Sequence, residues 1–124
     1  MPRAGVREER LRSTTCIRQA MPMSSWRGVS GRRYVVGVQT GITPDIVDMD
    51  GAVLIAVRRA GDGTASVVDV SAPEPGATRR ARLRWLALMR TRGATEMHVH
   101  LLAEGAAERD AVRRDLADEV RSPA

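Results

Sequence analysis

Two histidines two residues apart, His98 and His100, are the residues of this chain best spaced for metal chemistry. On an extended strand, side chains at i and i+2 point the same way, so the pair could chelate zinc with Glu96 beside it. No third histidine and no cysteine completes a ligand set in the foldable part. Cys16, the chain's single cysteine, sits in a polar N-terminal stretch. The pair is therefore expected at a strand surface or a cleft edge, with neither metal nor cofactor. Anion binding by arginine is the other chemistry the sequence suggests. Arg79, Arg80, Arg82 and Arg84 open one helical pattern, in which Arg80 and Arg84 share the polar face while Arg82 points toward the apolar arc of Trp85, Leu86 and Met89. Arg109 and Arg113 fall on the Val112, Leu116, Val120 side of a second helical pattern. An arginine there must reach solvent or find a partner, because burying an unpaired guanidinium is costly.

The elements that would position these groups are legible as short runs. "RYVVGVQ" (Arg33 to Gln39) is a strand, followed by breaks at Gly41 and Pro44. "AVLIAVRR" (Ala52 to Arg59), the turn "AGDG" and "ASVVDVS" (Ala65 to Ser71) read as a hairpin. The near-continuous apolar character of Ala52 to Val57 predicts a central strand covered on both faces. "APEPGAT" interrupts regular structure, Thr78 is a suitable N-cap for a helix from Arg79 to Arg92, and Gly93 stands where a left-handed residue would end it. "TEMHVHLLA" is a further strand, with Met97, Val99 and Leu101 alternating against His98, His100 and Leu102. A last helix runs from about Gly105 to Val120.

Composition bounds the partners. At 124 residues the chain holds one small domain with a modest core. All 20 basic residues are arginine, which reads as the mark of a GC-rich genome. The formal charge of +5 divides into +3 over residues 1–20 and +2 over residues 21–124, so the bulk number does not reveal a basic stripe on the fold. Residues 1–25 are polar and aperiodic, and are expected to be a disordered tail or an over-extended gene start, leaving 26–124 as the single domain. A basic arm touching phosphate is the alternative for that tail. The lone cysteine suits a reducing cytoplasm. No apolar run approaches the roughly 20 residues of a membrane span, and no signal-peptide core opens the chain.

The order strand, strand, strand, helix, strand, helix, with a hairpin feeding a helix, resembles the GIY-YIG nuclease domain. The likeness is to small bacterial versions that begin with an "SGxRY" strand and end in an "E-x-D-L" helix followed by prolines. The matching blocks are "SGRRYVVGV" (Ser30 to Val38), "GAVLIAVRR" (Gly51 to Arg59), "SVVDVS" (Ser66 to Ser71), "GATEMHVHLL" (Gly93 to Leu102) and "VRRDL" (Val112 to Leu116), spanning about residues 30–123. The resemblance implies an α/β (α+β) fold with a small, mostly antiparallel central sheet of three to four strands flanked by two helices.

It also implies phosphodiester hydrolysis. Tyrosines on the paired strands position or deprotonate water, a helix arginine stabilises phosphate charge, and a glutamate on the last helix holds a divalent metal. By the block alignment the first tyrosine falls on Leu54, the second on Val67, the following glycine close to Asp69 and the glutamate on Arg113. Arg82 best matches the helix arginine. Leu54 and Val67 have no proton to exchange and read as strand core, while an arginine repels a divalent cation. No catalytic residue is expected. Arg82, Arg109 and Arg113 remain as possible anion binders, although a structural salt bridge from Arg113 to Asp69 is the favoured reading. The leading expectation is a catalytically inactive GIY-YIG-like binding or regulatory module in the cytoplasm, with nucleic acid or another protein as partner. An active or residual metal-dependent nuclease and an unrelated α/β protein-interaction domain are the alternatives.

Overall fold

The two runs that read as a hairpin lie at one side of a larger sheet. The computed structural model describes residues 5–10, 22–74 and 76–121, apart from the side chains of residues 10, 47 and 118–121. Cys16 and the side chain of Val120 lie outside the described residues. In chain order the elements are β1 (Arg7–Arg10), β2 (Met23–Arg27), β3 (Arg33–Thr40), a short 3-10 helix (Pro44–Asp48), β4 (Val53–Arg59), β5 (Ala65–Ser71), α1 (Arg79–Thr91), β6 (Glu96–His100) and α2 (Gly105–Arg121). The strands form one antiparallel sheet in the order β1-β2-β3-β6-β4-β5. The sheet curls, bringing β1 round alongside β5.

The class is α+β with two helices, as expected, but the sheet has six strands and not three to four. The two additional strands fall largely within residues 1–25, which were expected to be a tail. Arg7–Arg10 pairs with Met23–Arg27, and that strand pairs in turn with β3. Both escape a hydrophobic pattern for a physical reason: most of their buried positions are polar. Ser24 and Ser25 are buried with their hydroxyls donating to Glu8 and to the Glu9 carbonyl, so polar side chains occupy positions where an apolar residue would announce a strand.

Two cores lie on the two faces of the sheet. On the inner, concave face Trp26, Val36, Val53, Ile55, Val57 and Val70 pack against Val112, Leu116 and Ala117 of α2. On the outer face Leu54, Ala56, Met97 and Val99 pack with Leu86 and Met89 of α1 and with Ile46 of the 3-10 helix. β4 is therefore apolar at successive residues because both its faces are covered. β6 is central as well, so Met97 and Val99 face one core while His98 and His100 face the other, and all four are buried. The strand ends at His100, and Leu101 and Leu102 are exposed.

β5 carries a bulge that alters which side chains share a face. Val57 pairs with Val67 but Ala56 pairs with Asp69, leaving Val68 as the extra residue. Val67 thus faces the inner core, whereas Val68 packs with the outer one. α1 starts and stops as its sequence dictates. Thr78 caps it, its side chain accepting from the Ala81 N–H at 3.0 Å. At the other end the Ala94 N–H reaches the Met89 carbonyl and the Gly93 N–H the Arg90 carbonyl, with Gly93 at φ 95°. That pair of bonds is a Schellman ending, which requires the left-handed conformation glycine adopts freely.

Candidate functional site

The inner face of the sheet holds a buried chain of polar side chains. Trp26 Nε1 donates to His98 Nδ1 at 2.8 Å, and His98 Nε2 lies 2.7 Å from Glu96 Oε2. Because an indole N–H is only a donor, His98 Nδ1 must be the acceptor, so the proton sits on Nε2 and is donated to Glu96. The histidine is neutral with one tautomer fixed. Arg59 Nη2 then donates to the same Glu96 oxygen at 2.6 Å, while Arg59 Nη1 donates to Glu8 Oε1 at 2.9 Å and to the Gly63 carbonyl at 2.9 Å. Ser24 Oγ donates to Glu8 Oε2 at 2.8 Å. The chain of contacts crosses β2, β6, β4 and β1.

Its electrostatics follow from burial and pairing. Burial pushes the His98 pKa down, against the opposing pull of Glu96. Burial would raise the Glu96 and Glu8 carboxyls, but bonds from Arg59 and His98 to Glu96, and from Arg59 and Ser24 to Glu8, outweigh it and hold both below the usual carboxylate range. Bonds to Glu96 and Glu8 hold Arg59 firmly protonated. One guanidinium faces two carboxylates, so the cluster carries net negative charge beside a neutral histidine.

The two histidines are therefore not surface or cleft-edge residues. His98 is fully buried under Trp26, with ring centroids 5.8 Å apart, and His100 stands edge-on to Tyr34 at 5.5 Å. His100 Nδ1 bonds to the Val35 carbonyl at 2.8 Å. Both nitrogens of His98 are engaged. Among the described residues no group of three or more histidine, cysteine or acidic side chains is arranged to hold a metal ion.

A second polar constellation ties the first matching block to the last. Asp115 on α2 accepts from the Ser30 N–H at 2.8 Å, from Ser30 Oγ at 2.7 Å and from the Tyr34 hydroxyl at 2.7 Å. A Cβ on Gly28 would overlap this carboxylate, so the close approach requires glycine there. Burial opposes the charge on Asp115, but the bonds from Ser30 and Tyr34 prevail and lower its pKa. Burial and the Asp115 bond push the Tyr34 phenol up to about 12. This clasp is structural. Asp115→Ala leaves the part-buried Tyr34 hydroxyl without its acceptor and returns the exposed Ser30 amide to water, and is expected to cost about 1 kcal/mol of stability. Asp115→Asn is expected to cost less and to lower the Tyr34 pKa from about 12 while burial keeps it above the ordinary value, which ultraviolet titration beside thermal melting would read.

The positions singled out by the resemblance do not meet in one place. Leu54 is buried in the outer core and Val67 packs against the inner one, on opposite faces of the sheet. Asp69 lies on the outer side, accepting from Trp85 Nε1 of α1 at 3.1 Å. The bulge at Val68 puts it there, so the expected salt bridge to Arg113 is not formed: α2 lies across the sheet. Arg113 instead bonds to Asp110 through Nε at 2.9 Å and Nη2 at 2.7 Å. Arg82, turned toward the sheet on α1, has Nη1 3.7 Å from Asp50 Oδ1. Of the three possible anion binders, Arg109 and Arg113 do line one groove of about 520 Å³ between α2 and the β5–α1 connection. Glu74 and Asp110 line it too, so its charges balance.

No family model matches this chain, and no curated protein or solved structure is significantly similar to it.

A charge feature hidden in the bulk composition emerges on α1. Residues 75–95 contain six arginines and no acidic residue, so this segment carries +6 against +5 for the whole chain. Arg79 pairs with Asp48, Arg90 donates to the Ile42 carbonyl and Arg82 sits near Asp50. Arg80, Arg84 and Arg92 are exposed and share one arc of the helix and its C-cap, with no acidic partner among the described residues. Arg58, from the end of β4, lies beside Gly93 and extends the basic surface past the helix end. The sequence carried this signal as an acid-free run. Averaging charge over residues 21–124 concealed it.

No helix among the described residues is long and apolar enough to cross a membrane.

Proposed function

We propose that the chain is a GIY-YIG-like domain without nuclease activity, a cytoplasmic binding module that holds the phosphate backbone of duplex DNA on the outer face of α1. The observation that carries the binding reading is the concentration of six arginines without an acid over residues 75–95, three of them exposed along one side of the helix and its cap. From Arg80 to Arg92 they span about 18 Å at 1.5 Å per residue. Guanidinium forks suit phosphate, and arginine contacts to a nucleic-acid backbone draw affinity from released counterions. Single strands are held largely by stacking on exposed aromatics. Here Trp26 and Tyr34 are buried and Trp85 is committed to Asp69, and the chain has no phenylalanine, so a duplex backbone is the better fit.

The hairpin β4–β5 feeding α1, then β6 and α2, and the Asp115 clasp joining the first and last matching blocks, support the GIY-YIG-like reading. The absence of cleavage rests on residue chemistry. At the aligned positions Leu54 and Val67 cannot activate water and Arg113 would repel a metal, and Leu54 and Val67 lie on opposite faces of the sheet, so the aligned positions form no joint site.

Duplex DNA titrated at several salt concentrations tests the module. Wild-type affinity is expected to fall with a log–log salt slope of about −3 to −4, following roughly 0.9 per phosphate contact for four arginines. Arg80→Ala/Arg84→Ala/Arg92→Ala is expected to weaken binding at least tenfold and flatten the slope to near −1, whereas Arg109→Ala/Arg113→Ala should leave it unchanged. With magnesium or manganese no strand scission above a mock-purified control is expected. Binding unaffected by the triple substitution would sink the α1 assignment, and cleavage abolished by Arg82→Ala would restore an enzyme.

A further inference from the structure

β1 is held to the sheet by its ladder to β2 and by charged side chains. Its four residues are Arg-Glu-Glu-Arg, none apolar, and its two glutamates turn to opposite faces. Glu8 turns inward to Arg59 Nη1 at 2.9 Å and Ser24 Oγ at 2.8 Å. Glu9 turns outward to Arg27 Nε at 2.9 Å and Arg33 Nε at 2.9 Å, and its carbonyl accepts from Ser25 Oγ at 2.8 Å. Val6, two residues before Glu8, packs partly buried against the inner core.

We propose that this seat on the edge of β2 recognises an extended acidic segment of another polypeptide, one with two adjacent glutamates and an apolar residue two positions before the first, and that β1 fills it in cis as an exchangeable strand. The receptor side is built independently of β1. Arg59 is also held by Glu96 at 2.6 Å and by the Gly63 carbonyl at 2.9 Å, and Arg27 by the Gly31 carbonyl at 2.8 Å. Both guanidiniums therefore keep partners that orient them when the strand leaves, which is the preorganisation a peptide site needs. The ladder on β2 supplies main-chain bonds, and the two arginine subsites on opposite faces read successive glutamates, which is recognition by strand addition.

Two features mark the cis strand as exchangeable. It is four residues long at the end of the sheet order, and its outward ion pairs, from Glu9 to the more exposed Arg27 and Arg33, weaken with salt.

The test uses the full chain and a labelled peptide Gly-Val-Arg-Glu-Glu-Arg, the chain's own residues 5–10. Glu8→Gln/Glu9→Gln removes the charges of the cis strand and leaves the receptor intact. The peptide is expected to bind this variant at least tenfold more tightly than wild type, and its Gln-Gln counterpart at least tenfold more weakly than the Glu-Glu form. Adding Arg27→Gln and Arg33→Gln should abolish the difference between the peptides to within the Glu8 contribution. Equal binding to wild type and variant, or no discrimination between the peptides, would overturn the proposal. So would loss of the folded circular-dichroism signal in the Glu8→Gln/Glu9→Gln variant, because β1 would then be integral to the fold. A wild-type dimer that the peptide dissolves would assign the seat to a second copy of this chain and overturn the choice of partner.

Discussion

Arg59→Ala is expected to lower the stability of this protein by about 3 kcal/mol, the lower part of the range for removing one partner from a buried ion pair. Arg59 is a fifth exposed, so water would reach part of the space it leaves, and the full penalty of a sealed interior does not apply. The cost comes from the groups left behind. Glu8 and Glu96 are nearly buried and both bond to this guanidinium, so its removal leaves two carboxylates facing each other across the inner face of the sheet. For a domain of about a hundred residues such a loss corresponds to more than roughly 10 °C in melting temperature. The same principle gives the control. Arg59→Met combined with Glu8→Gln and Glu96→Gln removes the charges together, and should recover most of the loss, because a neutral, hydrogen-bonded cluster does not carry the desolvation penalty of orphaned ions. Chemical denaturation of the single and triple variants checks it. A single variant within 1 kcal/mol of wild type would mean that Glu8 and Glu96 are solvated and that the cluster does not hold the sheet together.

How far these features were legible depends on whether burial was achieved with apolar or polar side chains. β3, β4, β5 and β6 and both helices announce themselves because Val36, Ile55, Val70, Met97, Leu86 and Leu116 recur at strand or helix spacing. β1 and most of β2 do not, since Glu8 there bonds to Ser24 and Arg59 on the inner face, and hydrophobic periodicity has little to report. The histidines were legible as a same-face pair but not as buried. Their cover is Trp26 and Tyr34, more than sixty residues earlier in the chain, and only the sheet order brings them together. Asp69 was misplaced by one residue's worth of bulge. Strict alternation from Val67 would send it toward α2 and Arg113, whereas the extra Val68 sends it to Trp85. Arg113, left without it, takes the i−3 partner its own helix offers.

Acid should unfold the protein in two stages, and the histidine governs the first. His98 is buried and neutral, with its pKa below the ordinary value of 6.5, while in the unfolded chain it titrates near that value. As pH falls through about 6.5 the unfolded state takes up a proton that the folded state refuses, so stability is complete above that pH and declines below it, by at most about 1.4 kcal/mol per pH unit. The decline continues until pH reaches the folded-state pKa, where His98⁺ forms only by breaking the Trp26 bond, since indole cannot accept. The second stage begins near the ordinary carboxyl values of 4.5 for Glu8 and Glu96 and 3.8 for Asp115, all three of which are lowered in the fold. Their stabilising contribution is present above those values and is lost as pH falls through the lowered ones. His98→Gln separates the stages, because its carbonyl can accept from Trp26 and its amide can donate to Glu96 without titrating. Melting temperatures between pH 7.5 and 3.5 should show wild type losing stability from pH 6.5 downward. The variant should stay level to about pH 5 and then fall as the carboxylates protonate. Parallel profiles across the whole range would show that His98 takes up no differential proton on unfolding and that its fixed tautomer is not what the burial of this cluster maintains.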